Sequence, residues 1–428
     1  MSHSFWNTLS LLALVALLLS ACQSSRAAAQ PPAQPNDPST VVVTAQAEVP
    51  PTVTVTTQAE VSPTSVPSPT PGPTSPPAPL RSPLWTFPTN GEVWSSPTVA
   101  DGVVYFGSDD HFLYALNPAS HQLIWKFETG DLVRSRPAVD RRVVYFTSDD
   151  NFLYALDTQT GAELWRFDLG KANHPRGPLA QYWDYLQSSP AVAEGVVYVG
   201  SANPNFYAVD ARTGQEKWRF TLKYSTRSSP AVVDGTVYVG ESDLNVYAID
   251  AQTGLEKWRF DTGSTVIPSP TVVDGVVYVG SKAPYVYALD AQTGQEKWRF
   301  NYPPSIAWVE SSAAVANGTV YVGSSDWRRL NAIDAATGQL KWFFLVKGFP
   351  WCSPAVADGV VYIGGTGGYF YAVDAETGQE MWNVQTGKSL VTETYGVSGG
   401  IVSSPVIADG VIYFGSLDGK LYALSTQP

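Results

Sequence analysis

Residues 290–300 read DAQTGQEKWRF, and nearly the same words stand at 250–260 and 210–220. Weaker copies occur through the rest of the chain. A unit that recurs about every 40 residues cannot bury its own apolar face alone, so the fold must come from stacking like units, as in a solenoid or a propeller. Aligning the Ser-Ser-Pro turns gives eight units, with prolines at 97, 137, 190, 230, 270, 354 and 405 and Ala313 in place of one. Each unit then runs through an apolar stretch, usually an Asp-Gly turn, a VVYVGS-like stretch, a YALD-like stretch and the DAxTGxExWxF segment.

The fifth unit shows the parse. Residues 270–273 and 276–280 are the first two strands, and Asp274-Gly275 is a tight hairpin turn between them. Residues 285–289 and 296–300 are the third and fourth strands. The stretches are β-branched and aromatic and carry no helical period. The chain holds 14 Trp and 22 Tyr with only 15% charged residues, a balance that suits strands. The expected fold class is all-β: an eight-bladed β-propeller of four-stranded antiparallel blades. The tryptophans that end the units are Trp85, Trp125, Trp165, Trp218, Trp258, Trp298, Trp342 and Trp382. The first has no blade before it, and the last unit has no such strand after it. Residues 84–87 are therefore expected to complete the last blade and close the ring.

The first 83 residues do not belong to this pattern. Residues 9–19 are an apolar run too short to span a bilayer, as in a signal segment. The run ends in Leu19-Ser20-Ala21-Cys22, which resembles the lipobox of bacterial lipoproteins. That resemblance implies cleavage after residue 21 and lipidation of Cys22; plain secretion and an uncleaved anchor are the alternatives. Residues 22–83 are rich in Pro, Thr, Ser and Ala and read as a disordered tether. At about 3.1 Å per residue it reaches about 190 Å when extended. The domains expected are thus 1–21 signal peptide, 22–83 tether and 84–428 propeller. The expected location is the extracytoplasmic face of a cell membrane, held by a lipid. The net charge of −12 disfavours nucleic acid as a partner. The propeller itself is expected to be monomeric.

The ALDAxTGxxxW pattern, present in five near-perfect copies, resembles the tryptophan-docking motif of PQQ-type (quinoprotein) β-propellers over essentially all of residues 84–424. Two branches bear on function. Outer-membrane assembly lipoproteins of the BamB type are lipid-anchored, eight-bladed and non-catalytic. Quinoprotein dehydrogenases hold PQQ and calcium in the channel mouth with an aspartate base. Many of those enzymes also carry a disulfide between adjacent cysteines, whereas Cys352 here stands alone and occupies a Ser position of the repeat.

In a propeller, the connections between blades share one face with the loops between second and third strands. Three inter-blade connections are expanded here, at 169–187, 301–310 and 385–402. They supply the loop candidates Tyr182, Trp183, Tyr185, Trp308 and Tyr395. The residue before each Ser-Ser-Pro should stand at the channel mouth, which gives Trp94, Arg134, Gln187, Arg227, Glu310 and Trp351, with Ile267 and Val402 completing the circle. Arginine forks and tryptophan faces suit a flat anionic ligand or a peptide. No catalytic set and no metal-spaced cluster is visible: His121 belongs to the opposite face, and His111 and His174 have no matched partners. The expectation is a non-catalytic scaffold, with a protein or peptide partner in the cell envelope and no cofactor. A PQQ- and calcium-dependent dehydrogenase is the alternative.

Overall fold

The computed structural model describes residues 78–171, 188–242, 244–302, 308–388 and 400–427. Cys22 and residues up to 77, and with them the signal segment and nearly all of the tether, lie outside the described residues. The described chain forms eight four-stranded antiparallel sheets from 32 strands. The innermost strands follow one another round a ring, and the last, β30 (Val406–Ala408), lies beside the first, β2 (Thr98–Ala100). The eight-bladed propeller read from the repeats is the fold observed. In the fifth blade the strands are Thr271–Val273, Val276–Gly280, Tyr285–Asp290 and Glu296–Asn301, within one residue of expectation.

Each blade alternates as a pleated strand must, but it is buried on both faces because blades stack on blades. The apolar clusters accordingly straddle seams. One joins Val104, Phe106 and Tyr114 of the first blade to Tyr413 and Leu421 of the last.

The repeated tryptophan is the seam's fastener. The indole Nε1 of Trp258 donates to the carbonyl of Ala291 in the next blade (3.0 Å), and the hydroxyl of Tyr238 donates to the same oxygen (3.0 Å). Trp165 with Tyr145, Trp218 with Tyr198, and Trp342 with Tyr321 repeat this pairing. Such a hydrogen bond contributes on the order of 1 kcal/mol. Burying most of an indole contributes about 4 kcal/mol gross, so packing dominates the seam. The receiving surface is a glycine: a Cβ on Gly294 would sit 2.7 Å from the Trp258 ring, and Gly294 has φ +72°. The Thr-Gly of the motif is thus fixed twice, once by its own turn and once by the neighbouring blade's tryptophan.

The aspartate of the motif organises that turn. Asp290 Oδ1 accepts from the backbone N–H of Thr293 (2.9 Å) and from its hydroxyl (2.9 Å). Asp157, Asp210, Asp250, Asp334 and Asp374 do the same with the threonine three residues on. On the outer strand, Glu296 and Arg299 form an exposed pair (2.6 Å). Such pairs add little stability, but they put charge on a sheet edge that would otherwise recruit another strand.

Closure follows the sequence expectation. β1 (Trp85–Pro88) pairs with β32 (Lys420–Ser425), with Trp85 opposite Ala423. The last blade's Tyr413–Trp85 contact (5.9 Å between ring centroids) repeats the Tyr–Trp contact of other blades using the two ends of the chain. Trp85 then stacks on His121 (4.9 Å), which stands where other blades place the turn glycine. Trp382 faces a blade with no Thr-Gly turn, and there the guanidinium of Arg81 covers its ring (4.6 Å). Arg81 is held by its N–H to the carbonyl of Asn383 (2.8 Å), and Leu80 bridges to Asn383. The segment just before β1 therefore supplies the cover that the missing turn would have given.

Gly294→Ala should cost about 2–3 kcal/mol, because strain at positive φ adds to collision with Trp258. Gly275→Ala, equally positive in φ but with open space around it, should cost about 1 kcal/mol. Urea midpoints of the two variants test the difference, and equal values would remove the tryptophan's part. For acid, hydrogen bonds from Thr293 hold Asp290 below the usual carboxylate range, as Thr160 and its counterparts do for Asp157, Asp210, Asp250, Asp334 and Asp374. A lowered folded pKa means the contribution is whole above the unfolded value of about 3.9 and is lost as pH falls through the folded values. The melting temperature should therefore fall steeply only below about pH 4, and less steeply when Thr293 is replaced by Val.

Candidate functional site

The mouth of the channel is built by a second repeated device. Before several of the described mouth positions stands a buried side chain that presses on a glycine at the end of a second strand. Val133 does this to Gly107, Val266 to Gly240, Val309 to Gly280, Ile401 to Gly364 and Val93 to Gly415. After the mouth position several blades place a buried serine whose hydroxyl ties back to its own second strand: Ser228 Oγ accepts from Gly240 N–H (3.0 Å) and Ser311 Oγ from Gly323 N–H (3.1 Å). The mouth residue between them is held at both sides, which is the pre-organisation a binding position needs.

Cys352 takes the serine's place in the seventh blade. Its Sγ accepts from Gly364 N–H (3.2 Å) and donates to the Gly364 carbonyl (3.3 Å). It is buried, and burial pushes the thiol up to about 12. It is a packed small residue, as its position in the repeat implies, and not an activated nucleophile.

The described mouth residues fall into three groups. In the first, Arg134 forms a two-pronged ion pair with Asp109, Nε to Oδ1 at 2.8 Å and Nη2 to Oδ2 at 2.6 Å. Its guanidinium lies over the Trp94 ring (4.9 Å), and Trp94 Nε1 donates to Glu92 (2.9 Å). Burial raises the Asp109 carboxyl despite Arg134. Burial works to lower Arg134, and the bonds and charge of Asp109 outweigh it, so its pKa lies above the ordinary value. Trp94 and Arg134 are thus brought together, with the arginine fork committed to Asp109.

The second group surrounds Glu310. Its carboxyl is raised by burial, against the nearby charge of Lys282 and Arg227, with Asp326 adding to the rise. Lys282 Nζ lies over the Trp308 ring (4.3 Å), and Trp308 N–H donates to Asp326 (2.9 Å). The loop is strung between blades by Val309 N–H to the Ser281 carbonyl (3.2 Å) and by Ser325 N–H to the Trp308 carbonyl (2.9 Å). Trp308 nevertheless remains 45% exposed. A tethered but open indole beside both signs of charge is well suited to contact a partner.

The third group is Trp351 stacked on Phe349 (5.5 Å, 10° between planes), with Arg328 over Phe349 (5.2 Å). Ile267 and Val402 are partly buried. Gln187, Tyr182, Trp183, Tyr185 and Tyr395 lie outside the described residues, as does His174. Asp109, Lys282 and Asp326 were not picked out from the sequence, because they sit in short loops whose near-uniform length reads as spacing.

One residue deeper in the channel also escaped the repeat reading. The second serine of each Ser-Ser-Pro accepts from the backbone N–H of its counterpart in the preceding blade, as in Ser229 N–H to Ser269 (2.9 Å) and Ser353 N–H to Ser404 (2.9 Å). Ser404 N–H to Ser96 (2.9 Å) carries the chain of bonds across the closure. In the second blade the tripeptide is Ser135-Arg136-Pro137, and Arg136 replaces the serine. That departure from the repeat was the available signal.

A single family model, that of the outer membrane protein assembly factor BamB, matches residues 79–180, 153–302 and 284–427. The chain belongs to this family. The BamB structure from Moraxella catarrhalis superposes with a TM-score of 0.65 at 17% identity, covering 80% of this chain and 99% of that one. The quinohemoprotein alcohol dehydrogenase of Comamonas testosteroni superposes with a TM-score of 0.62 at 18% identity, covering 80% of this chain and 76% of that one. These likenesses show the shared propeller. In sequence, polyvinylalcohol dehydrogenase of Sphingopyxis sp. is 31% identical over 135 residues, 26% of this chain and 21% of that relative. The match thus spans about a fifth of that curated relative. Within the BamB family, the resemblance read from the docking motif is the one found.

Cys352 should resist aromatic disulfide reagents in the folded protein and react only on unfolding, and Cys352→Ser should change stability by less than about 1 kcal/mol, because other blades use serine there. Fast labelling of the native protein would contradict this placement.

Proposed function

We propose that the chain is a non-catalytic, extracytoplasmic propeller that docks a protein or peptide partner in the cell envelope through its channel-mouth face. The observation that carries this reading is the exposed Trp308, set between Lys282, Asp326 and Glu310 on a rigid frame, with the Phe349–Trp351 stack one blade on. Aromatic anchors rimmed by charge are typical of docking surfaces. Membership of the BamB family supports an envelope partner. A lipid on Cys22 and the extended tether would hold the propeller at, but well away from, a membrane.

The similarity to quinoprotein dehydrogenases supports a second reading, a PQQ- and calcium-dependent oxidation. The described carboxylates do not favour it. Asp109 serves Arg134, while Glu241 accepts from Tyr224 N–H (2.8 Å) and lies within bonding distance of Tyr247 (3.2 Å) and Asn245 (3.3 Å). Among the described residues, no group of three or more His, Cys, Asp or Glu is placed to hold a metal ion. Calcium needs six to eight oxygen ligands, so the described residues do not fit it.

The double variant Trp308→Ala/Trp351→Ala, with its melting temperature unchanged, should lose at least about tenfold in recovery of envelope proteins cross-linked to the mouth, since losing 1.4 kcal/mol is tenfold. Undiminished cross-linking would place docking elsewhere. Dye-linked alcohol oxidation by the purified protein given PQQ and calcium would favour the second reading.

A further inference from the structure

The channel inside the ring has a volume of about 590 Å³ and is lined by the serines and prolines of the Ser-Ser-Pro turns. That volume falls in the range of small-molecule sites, roughly 300–1,000 Å³. Its lining holds one charged side chain, Arg136. Arg136 is exposed to water within the channel. Its Nε lies 3.2 Å from the Thr98 hydroxyl, and among the described residues no carboxylate pairs with it. Arg134, by contrast, has its charge met by Asp109.

The serines round the channel complete the chemistry. Each hydroxyl oxygen already accepts a backbone N–H from the preceding blade, as Ser189 does from Arg136 (2.9 Å) and Ser312 from Ser269 (2.9 Å). Their O–H protons are not used within the protein, and they can turn toward the channel. A serine hydroxyl carries one donor, and arginine carries only donors. The ring therefore presents a girdle of donors and one unneutralised positive charge, with no anionic side chain opposite. In a chain of net charge −12 this is a local reversal of sign. A guanidinium with no counter-charge in a narrow channel draws anions to it.

We propose that the channel binds a small oxyanion of the carboxylate or phosphate class, with Arg136 as its counter-charge and the serine hydroxyls as further donors. Arginine's planar fork matches two oxygens of such a group, and the serines supply bonds to the others. The occupant would lie on the ring axis, within reach of several blades at once. This inference does not depend on partner docking at the mouth, because Arg136 lies in the channel and takes no part in the Trp308 or Trp351 groups.

The test uses the purified full chain at constant ionic strength, titrated calorimetrically with malonate and separately with inorganic phosphate. Saturable binding at one site per chain is expected for at least one of them, and the better binder identifies the class. Arg136→Ser restores the serine of the repeat and gives Ser96 N–H a hydroxyl to meet. It should fold with a melting temperature at least equal to the parent's and bind the anion at least tenfold more weakly. Arg136→Gln, which keeps length and removes charge, should show the same loss should the serine variant fold poorly. Equal affinity in these variants, or no saturable binding of either anion by the parent, would overturn the proposal.

Discussion

The tryptophan that leaves one blade and lands on the turn of the next is the contact on which this molecule depends. A four-stranded sheet of this size has two apolar faces and cannot be stable alone. Each blade therefore borrows a neighbour on both sides, and the seam is where identity in sequence matters most. The indole needs a flat receiving surface, which glycine provides at that φ, and a carbonyl at its edge, which the aspartate–threonine turn positions. The aspartate, threonine, glycine and tryptophan of DAQTGQEKWRF all answer to that contact. The motif recurs because the seam recurs, and it carries no chemistry of its own.

The exceptions obey the same constraint. His121 replaces a turn glycine and meets Trp85 by stacking ring on ring. Trp382 faces a blade whose outer strand comes from the other end of the chain, and Arg81 covers it instead. Where the repeat cannot supply the standard surface, a planar cation or ring takes its place, because a large flat indole left open would lose its burial.

The fold was legible in the sequence because repetition multiplies a weak signal. One Val-Val-Tyr-Val-Gly stretch is an ambiguous strand, but eight such stretches with turns between them leave little else. Ring closure was legible from Trp85 arriving without its blade. The mouth was legible in position but not in chemistry. Arg134 could be placed there by counting, whereas its engagement with Asp109 depends on a loop of the preceding blade that reads as mere spacing. Lys282 and Asp326 escaped for the same reason: their meeting with Trp308 joins neighbouring blades across distances the local pattern does not encode. Arg136 was visible as a broken Ser-Ser-Pro, yet it stands within the tripeptide and not at the mouth position before it. The same physics that makes a repeat easy to read hides the positions where it is altered.

The pairing of β1 with β32 also sets an order of events during synthesis. Trp85 waits from the start of the propeller until Tyr413 and the strand beyond it have been made, so the last blade has no outer strand that is local in sequence. Seven blades can form as neighbouring hairpins while the chain is still growing, but the circle cannot shut until its final strand is free. A chain broken off early would keep an open sheet edge and an uncovered seam, both of them surfaces that invite association with other chains. Closure by the propeller's first and last strands thus acts as a check on the ring: only a propeller with all eight blades can hide its end strands.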